Sequence, residues 1–192
     1  MRHVTIIMKD LAGTAILSGA VNGKATFAAI IGKSNREPEE PTPLLLDFDG
    51  IEVATASFLR ESVFALKSYM RASDSRFYPV AANINAAVHE ELAVVADARG
   101  DALFVVTTQK GDIIEQCLIG NLDPKQAMTL EHVTALNGTD AGTLMAKYGA
   151  EEKTTSTTAW NNRLSALVSR GLIREYARGR AKYYRPLFEG TP

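Results

Sequence analysis

The sequence predicts an α/β chain in two domains, residues 1–122 and 123–192, and three observations carry that prediction. Short apolar runs alternate with helix-length segments over the first 120 residues, the pattern of an α/β layer with parallel or mixed strand pairing. From Asp123 onward the pattern changes to helices followed by a Gly-centred, aromatic-rich hairpin. The charge divides as well. Residues 153–192 hold eight Lys/Arg against two acids, +6; the whole chain has 21 basic and 22 acidic residues, so the remainder holds 13 and 20, −7. A basic segment joined to an acidic body marks a module that meets a polyanion.

The elements follow in order. Val4 to Met8 is a short β-rich run, and Asn22 to Ile31 a helix with Phe27, Ile30 and Ile31 on one face. Ser34 to Pro43, rich in Pro and Glu, reads as an exposed, mobile loop. Leu44 to Phe48 is a buried strand, and Ser57 to Met70 a helix with Phe58, Val63, Phe64, Leu66 and Tyr69 inward. Tyr78 to Ile84 is a strand, Ala86 to Ala98 a helix, and Asp101 to Val106 and Ile113 to Ile119 are the last strands of the layer. Asp123-Pro124-Lys125-Gln126 is a helix start: Asp caps, Pro takes the first helical position, and Gln reaches back. That helix runs to about Asn137 before Gly138, and a shorter one spans Asp140 to Tyr148.

From Ser156 to Ile173 the chain reads as one helix with a stop. Trp160, Leu164, Leu167 and Val168 recur at helical spacing. Ser156 or Thr155 is positioned to cap it, and Gly171 suits the left-handed residue past its end. Two aromatic runs around Arg178-Gly179-Arg180 then form a β-hairpin. Helix, Gly, apolar pair, basic hairpin: this resembles a winged helix-turn-helix, with a turn (Ala150–Thr155) longer than that pattern usually has. In that geometry early residues of the second helix approach base edges in the major groove. Thr157, Thr158, Asn161, Asn162, Arg163 and Ser165 are the candidate contacts there, since Asn pairs with adenine and Ser/Thr with any base. Arg178, Arg180 and Lys182 on the hairpin are candidates for phosphate or a minor groove. The expected partner is double-stranded DNA. The bland reading of the same residues is a solvated surface, and such a domain also serves as a protein contact.

Ser18-Gly19, Asn22 to Phe27, Leu46-Asp47-Phe48-Asp49-Gly50-Ile51-Glu52 and Ala56-Ser57-Phe58-Leu59-Arg60-Glu61-Ser62 resemble the STAS-like domain family of uncharacterised prokaryotic proteins, over residues 1–108. The resemblance implies a fold and a class of roles, namely dimerisation, sensing or partner binding, without a reaction. In the true STAS anti-sigma antagonists a serine opening the helix after the second core strand is phosphorylated by a partner kinase. Ser57 stands in the matching position. It is therefore a candidate phosphorylation site, beside the simpler reading that it caps the helix. Ser62, one turn along, reads as a helix-surface residue.

The one cysteine, Cys117, excludes an internal disulfide, and the N-terminus lacks a signal-peptide core. No apolar run approaches a membrane span. These features lead to the expectation of a cytoplasmic protein that binds no membrane; a homodimer through residues before Asp123 is expected because two-fold pairing of a winged helix lengthens its DNA site, with a protein partner at the first domain as the alternative. His3, His89 and His132 are scattered, so no metal, cofactor or catalytic set is expected. His89-Glu90-Glu91 lacks the second His of a zinc motif and reads as an exposed helix face. Asp47 and Asp49 read as a strand end and turn with Gly50. Asn22-Gly23-Lys24 lacks the earlier glycine of a phosphate loop.

Overall fold

The computed structural model describes residues 2–188 apart from Arg180, and for Arg178 the backbone alone. The chain divides into two compact units between Asn121 and Leu122. The first is an α/β layer. It runs β1 (Val4–Ile7), α1 (Met8–Ala12), β2 (Ile16–Leu17), α2 (Ala20–Lys33), β3 (Thr42–Asp47) and β4 (Val53–Ala54). A continuous helical stretch follows, α3 (Ala56–Leu59), a π-helical turn over Arg60–Phe64 and α4 (Ala65–Ala72). Then come β5 (Phe77–Ala82), α5 (Ala86–Arg99), β6 (Ala102–Gln109) and β7 (Asp112–Gly120).

The five-stranded sheet has the order β1-β3-β5-β6-β7. Its first four strands are parallel, and β7 closes it antiparallel to β6. Strands covered on both faces need continuous apolar runs rather than alternation. Leu44, Leu45 and Leu46 of β3 meet that need and are almost fully buried. Pro79 lies inside β5, where a missing N–H ordinarily breaks a ladder. It is tolerated because β6 pairs with β5 only at Ala81 and Ala82. A parallel pair of two residues each, β2 with β4, stands apart from the main sheet.

The helices pack onto the sheet through Ile30, Phe58, Leu59, Val63, Phe64, Leu66, Val88 and Leu92. Gly23 is where α2 meets α3: an added Cβ would lie 2.6 Å from the Phe58 carbonyl oxygen. Gly23, which lacks the earlier glycine of a phosphate loop, is thus a close-approach residue between helices. Just beyond that contact the helix widens into its π turn. Ser62, expected on the surface, is fully buried and donates from Oγ to the Phe58 carbonyl at 2.8 Å. A side chain that satisfies a backbone group inside the ladder is a recognised cause of such irregularity.

Other expectations are corrected too. The second helix starts at Ala20, two residues early, and α1 has no counterpart in the sequence reading. Tyr69, expected inward, is half exposed, with its ring edge-on to Phe27 at 5.7 Å. Much of the Ser34–Pro43 segment is exposed as expected, although Thr42 and Pro43 open β3, and Arg76 contacts the loop at two points. The Arg76 amide donates to Glu37 Oε2 at 2.8 Å and its guanidinium to the Glu39 carbonyl at 2.7 Å.

The second unit consists of α6 (Pro124–Ala135), α7 (Ala141–Tyr148), α8 (Thr157–Ser169) and an antiparallel hairpin of β8 (Ile173–Arg178) and β9 (Ala181–Pro186). Asp123 caps α6, accepting from Lys125 N and Gln126 N at 3.0 Å each. Gln126 does not reach back; its Oε1 accepts from the Arg170 guanidinium at 2.8 Å. Asp140 caps α7 through Thr143 N. Between these helices Thr139 exchanges two backbone hydrogen bonds of 2.8 Å with Tyr184 of β9, adding a one-residue third strand to the hairpin.

The end of α8 is set by Gly171 at φ +65°. Its N–H bonds to the Val168 carbonyl, and Leu172 N–H to that of Leu167. These are the paired bonds of a Schellman stop, for which glycine is the default residue. Val133, Leu144, Trp160, Leu164, Leu167, Leu172, Ile173 and Tyr184 are among the buried side chains of this unit.

Candidate nucleic-acid interface

The buried stripe of α8 fixes which residues face out. Trp160, Leu164 and Leu167 are fully buried. Thr157, Thr158, Asn161, Asn162 and Ser165 are all exposed, giving a polar, uncharged surface of hydroxyls and amides. Ser156 occupies the cap position, yet its side chain makes no capping bond. The start of α8 is held instead by the turn before it. Trp160 Nε1 donates to the Thr154 carbonyl at 2.9 Å.

Arg163 lies on the flank of α8, as the spacing predicts, but its side chain turns inward rather than toward a partner. It is half buried, and Nη2 donates to Thr154 Oγ1 at 2.9 Å. Its guanidinium carbon lies 4.9 Å from the centre of the Trp160 ring. A planar cation that finds an aromatic face and a hydroxyl within its own unit gains by turning inward. Thr154 escaped the sequence reading because a lone hydroxyl in a polar turn looks like any other; only its 7% exposure sets it apart.

On the hairpin, the residues that pair across the strands divide into two faces. Ile173, Tyr184 and Pro186 lie on the buried one. The other carries Arg174, Tyr176, Tyr183 and Arg185, with the Arg185 guanidinium 5.5 Å from the Tyr176 ring. Arg174 is itself buried and donates to the Pro186 carbonyl. Lys182 is exposed, and its ammonium meets both Glu175 carboxylate oxygens, at 3.0 and 3.1 Å. Hydrogen bonding and then the charge of Glu175 raise the Lys182 pKa above its ordinary value, so this cation remains charged but already has a half-buried anionic partner. Arg178 ends β8 beside Gly179, which takes φ +64° at the hairpin tip. The Arg178 side chain and Arg180 lie outside the described residues.

Ser57 belongs to the first unit, at the start of α3. Thr55, and not Ser57, caps this helix: its Oγ1 accepts from Phe58 N at 3.4 Å and from Gly19 N at 3.3 Å. Ser57 is half buried, with Oγ 3.2 Å from Thr55 Oγ1. Glu91, expected on an exposed face, reaches across from α5 and accepts from Ala56 N at 2.6 Å. That carboxylate takes the place at the helix start that favours an anion. A phosphate on Ser57 would face a like charge there, which weighs against the phosphorylation reading.

At the carboxyl ends of the parallel strands, Asp47 Oδ1 accepts from Asp49 N and from Asn83 Nδ2. Asn83 also binds Thr108, both through its side-chain amide nitrogen and through Oδ1. These groups brace neighbouring strands. Among the described residues no cluster of His, Cys, Asp or Glu could hold a metal ion. Among the same residues no helix is long and apolar enough to cross a membrane. No protein-family model matches the chain, and no curated protein matches it.

Proposed function

We propose that this protein is a DNA-binding transcriptional regulator. In this reading residues 123–192 are a winged helix-turn-helix, and residues 1–122 a STAS-like domain that dimerises, senses or binds a partner. One observation supports it above the rest: α8 presents Thr157, Thr158, Asn161, Asn162 and Ser165 outward from a stripe of buried Trp and Leu. The order of parts agrees with it, since two capped helices, α8 and a hairpin joined to Thr139 make up the unit. Amides and hydroxyls on an uncharged helix face suit base edges, while the cations of the hairpin suit phosphate. Arg163 leaves the set of contacts, and Lys182 stays in it only by exchanging Glu175 for phosphate.

The hairpin tip gives the direct test. Changing Arg178 and Arg180 together to Ala is expected to weaken binding to every duplex alike. The log–log salt dependence should flatten by about one to two units, because each lost phosphate contact removes one released counterion. Fluorescence anisotropy across a salt series measures both. An unchanged slope in a folded variant would remove the hairpin from the interface.

Two-fold pairing would give the reader two half-sites about one helical turn apart. We place the dimer contact in the first unit, whose residues 1–121 carry eleven Lys/Arg against fifteen acids, 11 − 15 = −4. Sedimentation of residues 1–122 and of the full chain checks this. Two dimers are expected. A dimeric full chain beside a monomeric fragment would move the contact into residues 123–192, and monomers in both would favour a partner-switching module whose winged helix is a protein contact.

A further inference from the structure

We infer that Arg163 and Thr154 form a clamp that sets how α8 presents its polar face, so that Arg163 governs sequence preference as a positioning residue without touching base or phosphate. This rests on the DNA-binding reading above. Every polar group of Thr154 is engaged. Its N–H donates to the Gly149 carbonyl at 2.8 Å, and its hydroxyl donates to the Glu152 carbonyl at 2.9 Å. Its carbonyl accepts from Trp160 Nε1 and its hydroxyl oxygen from Arg163 Nη2, each at 2.9 Å. One buried residue of the turn is therefore bound at two points by α8, one helical turn apart.

The far side of the same turn is anchored independently. Glu152 N–H donates to the Tyr148 carbonyl, and Glu152 Oε1 lies 3.4 Å from His132 Nε2 of α6. The His132 ring stacks on Tyr148 of α7 at 3.7 Å, with the planes 7° apart. Hydrogen bonds thus fasten the turn to α7 and α8, and the Glu152 carboxylate comes within 3.4 Å of His132 on α6. The length of the turn, greater than the usual helix-turn-helix pattern, makes such fastening necessary: an unbraced segment of this size leaves the entry of α8 free to shift.

The two contacts of α8 with Thr154 do different work. Trp160 belongs to the buried stripe that holds the unit together, along with Leu164 and Leu167. Arg163 lies on the flank, so losing its bond leaves that stripe intact and takes away one of the two ties between α8 and Thr154, loosening how the turn sets the start of α8. The first two turns carry Thr157, Thr158 and Asn161. A misplacement of this kind harms the contacts that must meet particular base edges. It spares the long-range attraction of cations for phosphate, which tolerates small shifts.

The test compares the full-length protein with its Thr154→Val, Thr154→Ser, Arg163→Gln and double Val/Gln variants. Each is titrated with a duplex selected from a random pool and with an unrelated duplex, over a salt series. For the selected duplex, Thr154→Val and Arg163→Gln should each lose about tenfold in affinity, the size of one charge-assisted hydrogen bond. The double variant should lose no more than either, and Thr154→Ser should match the parent. Affinity for the unrelated duplex and the salt slope should not change.

A general loss for both duplexes with a slope flatter by about one unit would make Arg163 a phosphate contact and overturn the inference. Additive losses in the double variant would also overturn it. If Thr154→Val does not fold, Arg163→Gln carries the test alone, since selective loss supports the clamp and uniform loss defeats it. If the parent binds no duplex, the DNA reading fails but the clamp is still read from the near-ultraviolet circular dichroism of Trp160, the only tryptophan. Non-additive changes in that band support it, and additive ones overturn it.

Discussion

Replacing Trp160 by Ala is expected to unfold residues 122–190 while leaving the first unit folded. The side chain is fully buried, and its loss opens a cavity between α8 and the helices packed on it. It also leaves the Thr154 carbonyl without the Nε1 donor. Truncating a buried aromatic costs about 3–5 kcal/mol. A unit of this size has a total stability of roughly 3–10 kcal/mol, so the change removes most or all of it. Hydrogen exchange read peptide by peptide checks this in the intact chain. Protection over Pro124–Ala135 and Thr157–Ser169 should collapse in Trp160→Ala, with β3 and β5 unaffected. Asn162→Ala, at an exposed position two residues away, should keep full protection and relax sequence preference. The reverse pattern would mean that the helical phase is wrong and that the polar face is not the one described.

What could be read from the sequence is what neighbouring residues decide among themselves. Asp123-Pro124 starts a helix because a carboxylate and a ring lacking an N–H suit the free donors there. Gly171 stops one because the next turn needs positive φ. Leu44-Leu45-Leu46 announces a covered strand, and Trp160, Leu164 and Leu167 fix the phase of α8. What could not be read depends on partners distant in sequence. Ser62 looks solvent-facing until the widened turn directs it at the Phe58 carbonyl. Glu91 looks like a charged helix surface until α5 carries it to Ala56 N, 35 residues away in sequence. Thr55 rather than Ser57 caps α3 because Thr55 has the extended backbone of a cap, φ −75° and ψ 152°. The spacing of Thr, Ala and Ser does not disclose that.

The candidate interface shows the same division. The periodicity that buries Trp160 also exposes Thr158, Asn162 and Ser165, so the outward face of α8 was legible from spacing alone. The inward turn of Arg163 was not. It needs the Thr154 hydroxyl and the Trp160 ring on the same side of the helix, and that arrangement exists only once the turn has folded onto α8. Basic residues are thus poor guides by themselves. Of the cations expected to meet phosphate or bases, Arg163 serves the fold and Lys182 already holds an anion, and Arg174 on the same hairpin also serves the fold.

Lys67 makes the strongest case in the first unit for a cation that serves the fold, and Lys67→Met is expected to destabilise that unit by about 3 kcal/mol. Its side chain is 4% exposed, inside the α4 segment. The ammonium donates to Asp101 Oδ1 and to the Ala102 carbonyl, where the chain leaves α5 and enters β6. Asp101 Oδ1 also accepts from Ala102 N at 2.8 Å, so one carboxylate organises the corner and one lysine ties it to α4. Methionine fills the space of the stem but takes the ammonium away from the Asp101 carboxylate, which keeps the Ala102 N–H, and from the Ala102 carbonyl. Removing one partner of a buried ion pair costs about 3–5 kcal/mol. The lower figure applies because the Asp101 side chain keeps 19% of its exposure and some contact with water. A second change, Asp101→Asn in the Lys67→Met background, should recover part of the loss by removing the charge whose cation is gone. Chemical denaturation followed by exchange of the β6 amides separates this transition from that of residues 122–190. A loss under about 1 kcal/mol in the single variant, with no recovery in the double, would show that the ion pair is solvated and that the corner is held by the Leu103 and Val105 packing alone.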